Sequence, residues 1–286
     1  MAIVRGIASL LMESGEVDGF SGSCVQLGVQ GITFSREAMQ AIAATRKFCL
    51  KTPARETEVL SGQEFFALLG FGIVDAIDAS AYEGANIIHD MNQELTDPGL
   101  QDRYDLVFDG GTMEHVFHVP TFLRNVGYLC KPNGRIVHVV PCSNMIDHGF
   151  YCFSPGLFRD YYLTNGFELA RLLLLRYSSE QLSCLDVRDS AGSLDPSCFS
   201  DGFTYLLYCE VRKVQGATIA RIPQQGGYVT SWQSEKVNAT LPKLPSDLAQ
   251  SLKDALRWSG TFLFVRKMYH SARLWRARQR LDWFRV

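Results

Sequence analysis

The segment 104–114, YDLVFDGGTME, constrains the fold more than any other stretch. Leu106-Val107-Phe108 is a short apolar run that ends on an acid, Asp109, followed by Gly110 and Gly111. A continuous apolar run of strand length, bounded by turn residues, reads as a strand buried on both faces, the usual state of a parallel sheet. In open sheets of that kind ligands bind beyond the carboxyl ends of the strands. Two glycines at such an exit let the backbone come close to a ligand. Glu114 and His115 follow at once, placing a carboxylate and an imidazole at the same exit.

The flanking sequence repeats this pattern. Cys24-Val25-Gln26-Leu27 is a short apolar strand that runs into Gly28-Val29-Gln30-Gly31. Ser35 is placed to cap a helix reaching Cys49, and Ser61-Gly62-Gln63-Glu64 has the form of a capping box for a helix ending near Gly70. Strands are expected at 72–78, leaving on Asp78, and at 86–89, leaving on Asp90. After 104–109 come a helical stretch, the turn Lys131-Pro132-Asn133-Gly134 and a strand over 135–140. A loop over 141–153 leads to a helix opened by Ser154-Pro155, then strands at 167–176 and 203–211. The polar segment 178–202 reads as an insertion, a lid or a plain surface loop. Strands alternating with helices predict a seven-stranded, mostly parallel, doubly wound α/β sheet over residues 1–215.

Four strand exits in register, with the order acid, glycines, acid-His pair, helix, KPNG turn and strand, resemble the class I S-adenosylmethionine (SAM) methyltransferases, in the branch with an acid-His pair after strand four. The resemblance covers roughly residues 20–212. It implies a Rossmann-like sheet with SAM across the exits: Gly28 and Gln30 at the first, Asp78 for the ribose hydroxyls at the second, Asp90 and Met91 around the adenine at the third, and Asp109 and Gly110 near the methionine part at the fourth. The chain departs from the family pattern at the first exit. Gln26 stands at the acid position, Gln30 at the second glycine and Ile32 at the third, so the segment reads either as a site with altered cofactor contacts or as one glycine of a structural turn. Asp75 competes with Asp78 for the ribose role.

The activity implied is methyl transfer, with O-methylation of a small molecule or glycan intermediate as the expected reaction. A catalytically silent fold that binds or scaffolds is the alternative. Acceptor-side catalytic candidates are His148, His115 and Glu114, with His118 behind them, because imidazoles titrate near neutrality. Tyr151 and Phe153 are expected to form a platform for a ring. Metal-specific spacing is missing and no metal is expected; Asp109 with Glu114-His115 is the grouping nearest to one. Motifs of the GxSxG, P-loop and HExxH types are absent, and Gly28–Thr33 does not supply the GxGxxG of a dehydrogenase.

Residues 216–286 differ in character and read as an irregular arm followed by a basic, aromatic helical tail. From Arg257 there are eight Arg or Lys and one acid, interleaved with Trp258, Phe262, Tyr269, Trp275, Trp283 and Phe284. Two readings stay open: a peripheral contact of 257–286 with an anionic membrane, or a clamp packed on the chain's own core. The net charge of −2 gives no electrostatic basis for nucleic-acid binding. Eight cysteines without paired spacing suit a reducing, cytoplasmic setting. Neither a secretory signal nor a membrane-spanning run is expected.

Overall fold

The computed structural model describes residues 2–15, 19–51, 59–177, 182–190, 194–195, 199, 201–229, 232, 281 and 283–286. They contain helices α1 (Arg5–Ser14), α2 (Arg36–Arg46), α3 (Gly62–Leu69), α4 (Val119–Leu129) and α5 (Pro155–Thr164). The strands are β1 (Ser23–Leu27), β2 (Ile73–Asp78), β3 (Ile87–Ile88), β4 (Tyr104–Asp109), β5 (Cys130–Ser143), β6 (Glu168–Tyr177), β7 (Leu182–Asp186), β8 (Thr204–Arg212) and β9 (Phe284–Arg285). They form one sheet in the order β3-β2-β1-β4-β5-β8-β6-β7-β9. β3, β2, β1, β4 and β5 are parallel, and β8 runs antiparallel between β5 and β6. The chain winds outward from β1 through β2 to β3, then returns to β4 on the other side of β1. That reversal between β1 and β4 is a topological switch point, where open α/β sheets leave a crevice at the strands' carboxyl ends.

The sheet is covered on both faces, which is why its central strands are mostly apolar. Cys24, Leu106, Phe108, Val137, Val139, Leu173 and Tyr208 share one buried cluster with residues of α1, α2 and α3, among them Leu11, Met39 and Phe66. The alternate residues of each strand point the other way. His138, between Val137 and Val139, meets Phe122 of α4 and Phe158 and Tyr162 of α5. Local signals set the helix ends. Ser35 Oγ accepts the Ala38 N–H of α2 at 3.3 Å, Ser61 Oγ that of Glu64 in α3 at 3.2 Å, and Ser154 Oγ that of Gly156 in α5 at 3.3 Å. Gly70 closes α3 at φ +120°, and its backbone lies so close to the Phe20 carbonyl that no Cβ fits.

The doubly wound sheet is as expected, but among the described residues it has nine strands rather than seven. β7 lies inside the segment read as polar, where Leu182 and Cys184 are buried while Asp186 ends the strand in solvent. It pairs antiparallel with β6. β9 comes from the expected tail and pairs with β7; the helix expected from Arg257 lies otherwise outside the described residues. α1 is a further addition: Ile7, Ala8, Leu10 and Leu11 are buried, so its apolar stretch is core. The KPNG turn lies within the long β5, where Asn133 takes φ +67° and the β4–β5 register shifts.

The chain divides into two compact units. The first holds all the elements above, through Pro223 together with Trp283–Val286. The second comprises Ser190–Phe203 and Gln224–Asp282; within it the Tyr228 and Trp232 rings lie 6.1 Å apart.

Candidate active site

At the end of β1 the backbone turns through Gly28 at φ +68°, and the Gly28 N–H donates to the Ile77 carbonyl at 2.7 Å. A side chain there would be strained, and its Cβ would lie 2.8 Å from Thr112 Oγ1. Thr112 itself donates to the Leu27 carbonyl at 2.6 Å, tying the exit of β4 to that of β1. Between these exits and those of β2 and β3 lies a cleft of about 450 Å³, whose lining includes Gly28, Gln30, Asp78, Asp90, Met91, Asn92, Gly111, Thr112 and His115. Six expected residues thus share one cleft: Gly28, Gln30, Asp78, Asp90, Met91 and His115.

Asp78 and Asp90 are held in place. Asp78 accepts the Ser80 N–H at 3.2 Å. Asp90 accepts the Asn92 backbone and side-chain N–H groups, at 2.9 and 2.8 Å, and these bonds keep its carboxyl below the usual range. Asp75, the competitor of Asp78, is taken up elsewhere, by Asn86 Nδ2, Arg103 and the Tyr104 hydroxyl at 2.7–2.9 Å.

Gln26 and Gln30 form a buried pair. Gln26 Oε1 accepts the Gln30 N–H at 2.9 Å, and Gln30 Nε2 donates to the Leu27 carbonyl at 2.9 Å. Gln30 Oε1 is buried without a hydrogen-bond partner. It lies over Gly110 so closely that a Cβ there would collide with it. Gly110 therefore makes room for a side chain of the protein itself, while Gly111, at φ +94°, faces the cleft. Asp109 turns inward: fully buried, it accepts the Thr112 and Met113 N–H groups and bonds His138 Nδ1 at 2.8 Å. His138 Nε2 meets the Tyr162 hydroxyl at 2.6 Å, completing a sealed polar chain that sequence reasoning missed. The signal available was a lone polar residue in the apolar run of β5.

Glu114, His115 and His148 come together beside the cleft, although the last two are 33 positions apart in sequence. Glu114 and His115 lie on the 3₁₀ turn Met113–His115. The loop after β5 is stitched to that turn by the Phe150 N–H, which donates to the Glu114 carbonyl at 2.8 Å, and Gly149 packs against Glu114 where a Cβ would come within 2.8 Å of that carbonyl. His148 Nε2 lies 3.4 Å from Glu114 Oε1, and the His115 and His148 ring centres are 5.2 Å apart. Burial, then the charge of Asp109, pushes the Glu114 carboxyl up to about 8. Burial, then His148, lowers the His115 imidazole.

The aromatic platform differs from expectation in one member. Phe153 is only 5% exposed, whereas Phe117 and Phe150 are 62% and 67% exposed and meet edge to face at 5.9 Å. Tyr151 joins them, its hydroxyl donating to the Phe117 carbonyl at 3.0 Å. His118, the residue preceding α4, is outside the Glu114, His115 and His148 group, and its N–H donates to Asn92 Oδ1 at 3.0 Å.

No family model and no curated protein matches this chain. Among solved structures, it is similar to the 1,6-didemethyltoxoflavin N1-methyltransferase of Burkholderia thailandensis with S-adenosylhomocysteine, at 14% identity over 74% of this chain and 78% of that one, with a TM-score of 0.34. The geranyl diphosphate C-methyltransferase of Streptomyces coelicolor, solved with Mg²⁺ and S-adenosylhomocysteine, gives 13% identity over 72% and 75%, with a TM-score of 0.41. The [4+2]-cyclase SpnF gives 12% over 73% and 80%, with a TM-score of 0.37. Overlaps this loose carry no functional argument, so function rests on the cleft itself.

Proposed function

We propose that this chain is a SAM-dependent methyltransferase that methylates an oxygen of a small molecule, with a glycan intermediate as one such acceptor. The observation that carries the reading is the cleft at the switch point, where Asp78 and Asp90 sit at successive strand exits opposite the backbone of Gly28 and Gly111. The residues present suit the cofactor. Asp78 is placed to accept ribose hydroxyls, as strand-end acids do in nucleotide sites. Asp90 and Met91 offer an acceptor and an apolar surface for an adenine. Gln26, bonded to the Gln30 N–H, supplies no charge for an ammonium group. The orphaned Gln30 Oε1, however, is a buried acceptor in need of a donor, and the cofactor's amino-acid end carries N–H donors.

When bound, SAM supplies a methyl group on a sulfonium leaving group. The protein's part is alignment and exclusion of water. On the acceptor side, Phe117, Phe150 and Tyr151 present an apolar surface. His115 and His148 lie beside it as the groups able to receive the acceptor's proton, with Glu114, its carboxyl raised to about 8, next to them. The free cysteines among the described residues support a cytoplasmic setting, and the cations beyond Arg257 support a peripheral membrane contact. None of the described helices is long and apolar enough to cross a membrane.

Calorimetric titration with SAM and S-adenosylhomocysteine tests this function. The parent protein should bind, and Asp78→Ala should weaken binding by about 1.5–3 kcal/mol, the scale of a hydrogen bond to a charged group. Unchanged affinity in the folded variant removes Asp78 from the site. Failure of the parent to bind at millimolar concentration favours the alternative that the two glutamines at the first exit already suggest: a methyltransferase-like fold kept as a binding module.

A further inference from the structure

We propose that Glu114, His115 and His148 form a binding site for a divalent transition-metal cation at the acceptor edge of the cleft. Each residue offers one ligand atom, and these atoms all lie within 4.8 Å of one another. The closest pair is already at coordination spacing. Two ligands held at about 2.1 Å on a tetrahedral ion lie roughly 3.4 Å apart, and His148 Nε2 is 3.4 Å from Glu114 Oε1. His115 and His148 both reach solvent, so their side chains have room to adjust toward a shared ion.

The second observation concerns the carboxylate. Glu114 is 0% exposed, and both of its oxygens are buried without a hydrogen-bond partner. A carboxyl so placed either keeps its proton, as its raised value reflects, or gives it up to a cation that answers both oxygens. His148 stands at ion-pair range but beyond a hydrogen bond, so the carboxylate's lone pairs are left for something smaller than a side chain. The two segments that carry the ligands are fixed rather than loose. The Phe150 N–H bonds the Glu114 carbonyl, the His148 N–H bonds the Met145 carbonyl at 3.3 Å, and Asn144 and Asp147 hold the loop in left-handed turns.

One oxygen and two imidazole nitrogens suit Mn²⁺, Fe²⁺, Co²⁺ or Zn²⁺, rather than Mg²⁺, which prefers all-oxygen sites, or ions that seek thiolates. Three protein ligands leave coordination positions open, and the partial exposure of His115 and His148 places them toward solvent at the cleft margin. An acceptor oxygen bound there would lose its proton more readily. The site stands on the cluster alone and does not depend on the cofactor reading.

The test uses metal-free, reduced, full-length protein titrated with Zn²⁺ by calorimetry and with Co²⁺ by visible absorption, without SAM. One equivalent should bind per chain. Glu114→Gln, His115→Ala and His148→Ala should each weaken binding by about 100-fold or more, since even residues behind metal ligands cost 10–100-fold. His118→Ala should bind as the parent does. Should Glu114→Gln fail to fold, the two histidine variants decide. The proposal is overturned if the parent shows no saturable binding, if the histidine variants bind undiminished, or if the Co²⁺ spectrum carries a thiolate charge-transfer band.

Discussion

Asp109, His138 and Tyr162 are all sealed from solvent and joined by two short hydrogen bonds that tie β4, β5 and α5 together. Truncating the middle member leaves a carboxylate and a phenol buried with one partner fewer. His138→Ala should therefore destabilise the fold by about 3 kcal/mol, read as a lower urea midpoint at an unchanged slope. A loss under roughly 0.5 kcal/mol would show that water replaces the ring. This chain of contacts also explains what the residue pattern left open. An acid ending a strand can face the cleft, as Asp78 does, or the core, as Asp109 does, and nothing in the local sequence separates the two. The choice depends on a histidine 29 positions away whose partner is known only once the strands are paired. Gly110 is a similar case: a glycine at a strand exit signals close approach, but not that the approaching group is Gln30.

At the scale of elements, Asp105 pins three strands. Its Oδ2 accepts the Ser23 N–H of β1 at 2.8 Å and the Ser23 hydroxyl at 3.0 Å, and pairs with Lys131 of β5 at 2.8 Å. Burial opposes its charge, but the Lys131 and Ser23 bonds together outweigh burial and hold the carboxyl below its usual value. A depressed carboxylate adds stability above the unfolded pKa of about 3.9 and loses it as pH falls through the lower folded value. The stability gap between the parent and Asp105→Asn should thus narrow as pH falls from about 5.5 toward 3. A gap that stays constant over that range would assign Asp105 a packing role only. The effect is modest because both partners are more than one-third exposed. The capped helices and the four parallel exits were legible because each carries its own local mark, a serine before the helix or an acid after an apolar run. β7 and β9 were not. β7 depends on an edge offered by β6, and β9 on the edge that β7 then offers, and no window of their own sequence contains either.

For the whole molecule, the uneven distribution of charge has a consequence that needs no detailed geometry. Cations gathered beyond Arg257 in a chain of net charge −2 favour an anionic surface, each adding about 1 kcal/mol near it, within a Debye length. The full chain should co-sediment with vesicles containing phosphatidylserine at low salt and be released as salt rises. Replacing Arg273, Arg276, Arg278 and Arg280 with Gln should weaken that association by at least 100-fold. Equal binding by both proteins, or none by the parent, would leave the tail as a structural clamp.

The sheet's two borders offer a different lesson. Among the described residues the outermost strand on each side, β3 or β9, is only two residues long. Long bare borders invite strangers to pair with them, and natural proteins blunt them with short strands. β9 thus acts as a stopper on β7, a five-residue strand whose backbone would otherwise be open for recruitment. Without β9 that edge would lie bare, so a variant unable to form it should pair edge to edge at concentrations the parent tolerates.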